Sequence, residues 1–318
     1  MDHSGHGAMD LPPFTLGRGL AWSPDAFFLV ACLLGLLLYG WGVVRMTRRG
    51  DRWPVGRTVS FVAGVLSVVL VMCTGLNDYG MVMFSVHMVQ HMVLSMLSPI
   101  MILLGAPVTL ALRALPVAAR GTLGPRELLL KLLHSRYMRV ITHPLFTIPM
   151  FIASLYALYF TPLVDVLMGS YLGHIAMMVH FFAVGVVFFW PIMGVDPGPH
   201  RPSHLMRMLE LFAGMPFHAF FGIALMMAST PMIGAFAHPP ASLGIDPMED
   251  LNAAGGIAWA FSEIPSVLVL IALLFQWYSS EQRQAKRKDR AADRDGDAEL
   301  EAYNAYLASL RAGSARQG

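Results

Sequence analysis

Seven mostly apolar stretches recur along the chain, at approximately 26–45, 57–76, 81–104, 144–162, 170–190, 205–230 and 255–278. Each is close to the ~20 residues that a helix needs to cross the hydrocarbon core of a bilayer. The pattern predicts an all-α, polytopic membrane bundle of seven transmembrane helices. Orientation follows from the charges between them. Of the 22 Lys and Arg, 21 fall in the segments after the first, third and fifth stretches and in the C-terminal tail, with Arg18 the exception. The opposite connections, around Asn77–Asp78, Asp165 and Asp246 to Asp250, carry none. The positive-inside rule then places the N-terminus outside and the C-terminus in the cytoplasm.

Composition strengthens this reading. Charged residues are 13% of the chain and hydrophobic ones 56%, against about a quarter charged in soluble domains. The net charge of +2 gives no reason to expect a nucleic-acid partner. Cys32 and Cys73 both lie inside apolar runs and do not suggest a disulfide framework. The opening Met1-Asp2-His3 lacks a basic n-region, so no cleavable signal peptide is expected. Three segments result: an external tail with His and Met (1–25), a seven-helix transmembrane domain (26–278), and a charged cytoplasmic tail (279–318). In the last, Leu300, Tyr303, Leu307 and Leu310 predict a short amphipathic helix.

Ionisable residues inside a membrane face the bundle interior and mark function by default. Counted from the outer helix ends at about 1.5 Å per residue, His87 lies roughly 9 Å deep and His91 roughly 15 Å. His174 lies roughly 5 Å deep, His180 roughly 14 Å, His218 roughly 18 Å and Glu263 roughly 10 Å. Five histidines and a carboxylate thus share the outer half of the bilayer, with no Lys or Arg at that depth to pair with Glu263. His87 and His91 form an H-x-x-x-H pair on one helix face. His174 and His180 straddle Met177, and Gly214, His218 and Gly222 share a face on which small residues allow close helix contact.

This donor set points to a metal. The 23 methionines exceed ordinary usage, and thioether with imidazole suits copper, Cu(I) in preference. The N-terminal run Met1 to Met9 adds His3 and His6 in a short His/Met tract. The plain alternatives are methionines as core filler and histidines that hydrogen-bond between helices.

Several stretches together give the chain a family likeness. They are His87-Met88-Val89-Gln90-His91-Met92 running to Gly105-Ala106-Pro107-Val108-Thr109-Leu110-Ala111-Leu112, then Val195-Asp196-Pro197, Gly255-Gly256 through Glu263-Ile264-Pro265, and Ala302-Tyr303-Asn304-Ala305-Tyr306-Leu307. In this order the chain resembles the seven-helix CtaG family of cytochrome c oxidase assembly factors over nearly its whole length. It does not resemble the single-span copper donor that shares the CtaG name. The resemblance implies a role in supplying or inserting copper during maturation of a haem–copper oxidase in the bacterial cytoplasmic (inner) membrane. It implies oxidase subunits as partners, beside the lipid bilayer and extracytoplasmic copper chaperones.

The expected function is non-enzymatic copper delivery. Its expected ligands are His87, His91 and His218, completed by His180 or His174 and Met177, with Glu263 as a ligand or charge balance. The alternatives are a haem-binding membrane redox protein with paired axial histidines, a copper permease, and a metal-free assembly scaffold.

Overall fold

The computed structural model describes residues 11–119, 121–199, 202–295 and 298–314. Among these residues every regular element is helical, and Trp22 and Thr74 form an isolated β-bridge. The apolar stretches become α1 (Ala26–Arg48), α2 (Val55–Met72), α3 (Phe84–Met92), α4 (Ser98–Leu104), α5 (Pro107–Ala114), α6 (Pro144–Tyr159), α7 (Tyr171–Met193), α8 (His204–Met226) and α9 (Pro247–Asp295). A π-helical turn, Val93–Leu97, joins α3 to α4. The helix expected in the tail is α10 (Ala298–Ser314).

Among the described residues, six stretches are long and apolar enough to cross a bilayer: α1, α2, Phe84–Ala114, α7, α8 and Pro247–Arg290. The chain is a multi-pass membrane protein. The remaining apolar helix, α6, is shorter than its expected 144–162. It ends after 16 residues at Tyr159, because Pro162 disfavours helical backbone at Thr161 and has no N–H to give. A separate helix, Leu163–Met168, follows.

Met1–Leu270 and Ile271–Gly318 form two compact units, and the packing that positions the site lies in the first. There the Phe84–Ala114 stretch is central, with 61% of its apolar window buried against 22% for α1. Pro99 in α4 has no N–H to return to the Ser95 carbonyl, which explains the widened turn before it. Gly185 of α7 packs directly on that carbonyl, where a Cβ would collide. Helices α8 and α9 cross in the same way. A Cβ on Gly222 would stand 2.6 Å from the Gly255 carbonyl oxygen, and one on Gly255 would stand 2.7 Å from that of Gly222.

Two aspartates tie distant segments to helix starts. Asp250, in the first turn of α9, accepts from the Phe84 and Ser85 amides at 2.5 and 3.2 Å, capping α3. Asp196 does the same for α5, accepting from the Val108 amide at 3.2 Å and from the Thr109 amide and hydroxyl at 2.7 Å each. Ala106, at φ 51°, turns the chain from α4 into α5 through the left-handed region. The Gly105–Leu112 and Val195–Pro197 motifs, far apart in sequence, are therefore one contact. Burial pushes the Asp196 carboxyl up from its ordinary value, while the three donors hold it down.

Candidate metal centre

Capped by Asp250, α3 carries Phe84, His87, Met88, His91 and Met92 into the interior. His87 is fully buried and His91 is 3% exposed. The one-turn spacing read from the sequence puts both imidazoles on the inner face, and Tyr159, at the end of α6, reaches between them. Its hydroxyl lies 3.1 Å from His87 Nε2 and 3.2 Å from His91 Nδ1. Helix α7 adds Phe181, edge-on to His91 with ring centroids 4.1 Å apart. His218 of α8 faces His91 with centroids 6.2 Å apart and packs against Phe151 at 5.0 Å. Phe236, in the connection between α8 and α9, packs against His87 with centroids 5.4 Å apart. His174 is buried within electrostatic range of His87.

The surroundings are apolar and sulfur-rich: Met88, Met92, Met177 and Met178 are all buried. In that setting, among the described residues, His91 Nε2 and His218 Nε2 have no hydrogen-bond partner, and His87 Nδ1 makes no bond of ordinary geometry. A buried polar atom left unsatisfied costs about 1–3 kcal/mol, so two on facing imidazoles call for a reason. As the side chains stand, no group of three His, Cys, Asp or Glu among the described residues converges closely enough to hold an ion. The cluster does carry donor types that suit a soft cation.

Other expected residues stand apart. His180 is exposed and directs Nε2 to the Ser154 hydroxyl at 2.7 Å. Glu263 lies on a partly exposed flank of α9, whose buried face instead carries Ala258, Ser262 and Ser266. Trp259, one turn before Glu263, is turned outward and is 46% exposed. His3 and His6 lie outside the described residues.

Two buried residues escaped the sequence reading. Tyr159 looks like one more aromatic at the end of an apolar run, and no signal in the chain distinguishes it. Glu210 did have a signal, being an ionisable residue within a predicted span. It is 1% exposed on α8 and accepts from the Thr147 hydroxyl at 2.5 Å, while its Oε2 is unpartnered. At the end of the bundle where Asp196 caps α5, a cavity of about 570 Å³ is lined by Asp196, Arg113, Arg207 and His204 among others.

Uncharacterized proteins of Mycobacterium bovis and Mycobacterium tuberculosis are each 44% identical to this chain over 307 residues, 95% of its length. One of Mycobacterium leprae is 42% identical over 304 residues, 94% of its length. The match covers 46% of each of these proteins, so the chain spans about half the length of the curated relatives it matches. No solved structure matches it. Residues 37–280 match the family described as cytochrome c oxidase caa3 assembly factor, and the chain belongs to that Caa3_CtaG family.

Proposed function

We propose that this protein holds copper within the membrane and passes it to a haem–copper oxidase during assembly, without catalysing a reaction. The observation that carries the reading is the pair of buried, unpartnered imidazole nitrogens, His91 Nε2 and His218 Nε2, in a methionine-rich interior. Family membership supplies the oxidase, and donor chemistry supplies the ion, since thioether and imidazole favour Cu(I). Copper is cargo here. The partners are oxidase subunits, and extracytoplasmic copper chaperones on the donor side, with the His3/His6 tract as a collecting arm.

The topology that serves this role has seven crossings in the bacterial cytoplasmic membrane, N-terminus outside. The distribution of 21 of 22 basic residues supports it. Helix α6 is then the short crossing. Sixteen residues span about 24 Å, and local bilayer thinning accommodates such a deficit at modest cost. The site lies toward the outer ends of α3 and α7, where an oxidase subunit in the same membrane can approach it.

The packing does not favour haem ligation. The cavity beside His218 is about 10 Å³, room for one water. The test is metal analysis with an absorption spectrum on purified protein loaded with Cu(I), comparing wild type, His91→Ala, His218→Ala and a variant lacking residues 1–10. Copper that survives truncation and is lost in both alanine variants, with no Soret band, supports the reading. Full copper in the alanine variants, or a Soret band, refutes it.

A further inference from the structure

The Tyr159 hydroxyl carries one proton but stands between two ring nitrogens. A neutral imidazole also carries one N–H, at one nitrogen only. These two facts couple the rings. If the tyrosine donates to His87 Nε2, it accepts from His91 Nδ1–H. His87 then has its proton on Nδ1, and His91 Nε2 is bare. If the tyrosine donates to His91 Nδ1, it accepts from His87 Nε2–H. His91 Nε2 then carries the proton, and His87 Nδ1 is bare. Each arrangement contains three protons, and in each both rings are the same tautomer. Of the two mixed pairs, the one with both rings donating to Tyr159 leaves the buried tyrosine O–H without an acceptor, and the one with neither donating leaves a facing ring nitrogen without a donor.

One further neighbour chooses between them. The Gly80 carbonyl reaches the His87 imidazole, outside ordinary hydrogen-bond geometry but on hand as an acceptor. Among the described residues no donor reaches Nδ1 to stabilise a bare nitrogen there. The first arrangement is thereby favoured: Gly80 carbonyl, His87, Tyr159 and His91 form a directed chain that ends in a lone pair on His91 Nε2. The next imidazole across is His218, whose Nε2 is also unpartnered.

We propose that His87 and Tyr159 are positioning residues, which lock His91 as its Nδ1–H tautomer and leave His91 Nε2 and His218 Nε2 as the donor pair for a soft cation. His87 is then not a ligand, although the H-x-x-x-H spacing alone suggests that it is. The ligand assignment rests on the copper reading above; the tautomer assignment does not. Such supporting groups orient metal-bound imidazoles generally, and their loss typically costs 10–100-fold in affinity.

The test has two arms. In metal-free protein labelled with ¹⁵N-histidine, His87 and His91 should both show protonated Nδ1 and unprotonated Nε2, and Tyr159→Phe should mix the tautomers of His91. A protonated His91 Nε2 in wild type, or rings of unlike tautomer, overturns the proposal without reference to any metal. The second arm titrates the variants with Ag(I), a redox-inert stand-in for Cu(I). His87→Gln keeps an oxygen that accepts from Tyr159 and should bind within about threefold of wild type. His87→Phe removes that acceptor, turns the tyrosine proton onto His91 Nδ1, and should weaken binding by about 10–100-fold. If His87→Gln loses binding as completely as His91→Ala, His87 is a ligand and the proposal fails. If wild type itself binds no Ag(I), the copper reading and this ligand pair fail together, while the tautomer arm still decides the roles of His87 and Tyr159.

Discussion

Replacing Asp250 tests whether the histidine helix is anchored from another helix or stands by itself. The carboxylate, 8% exposed, satisfies two amides at the first turn of α3. Met83, at the N-cap position, offers no side-chain cap of its own. Hydrogen bonds to charged groups contribute about 1.5–3 kcal/mol each. Losing a cap costs about 0.5–2 kcal/mol in simpler settings. Asp250→Ala removes both bonds and leaves two amides with reduced access to water, so a loss of about 2–4 kcal/mol is expected. Asp250→Asn retains one accepting oxygen and should lose about half as much. For chains of 150–250 residues each kcal/mol moves the melting midpoint by about 2–4 °C. The Ala variant should therefore melt about 5 °C or more below wild type when followed by circular dichroism in detergent, with Asn between them. Amide hydrogen exchange should accelerate first at Phe84 to His87, the segment the carboxylate holds. An Asp250→Ala protein that melts within ~1 °C of wild type, with unchanged exchange there, would refute the anchoring argument.

Gly255→Val should destabilise strongly, by about 1–3 kcal/mol or more, because its Cβ meets the Gly222 carbonyl, while Gly256→Ala, with open space around it, should be nearly neutral in the same melt. Thr147→Val strips Glu210 of its hydrogen-bond donor and should cost about 1–3 kcal/mol, whereas Thr147→Ser should restore most of it. The raised Asp196 carboxyl gives a pH signature: above its ordinary value of 3.8 the unfolded chain releases a proton that the native state still holds, so stability falls as pH rises through that window. Asp196→Asn should remove this slope, and an identical pH profile in the variant would refute it.

The sequence determined the class of the molecule and the helix face that its paired histidines share. Runs of about 20 apolar residues have few structural outcomes in a bilayer, because lipid satisfies no backbone hydrogen bonds. Helical spacing likewise commits His87 and His91 to one face, and the structure buries both with His218 and His174. The long runs bounded α1, α7 and α8 to within a few residues, while α6 stopped short at a proline whose effect a hydropathy pattern averages away. What the chain could not declare is which residues of different helices meet. Periodicity gives a face relative to its own axis, not its rotation against a neighbour, so Glu263 was expected inward and lies on a flank instead. Asp250 and Asp196 look like loop residues until the helix starts they cap, 165 and 87 positions away, are in view. Tyr159 is the sharpest case. Its hydroxyl has a role only because α6 places it within 3.2 Å of two ring nitrogens of α3, and hydrogen bonding, unlike burial, depends on distances that only the assembled bundle sets.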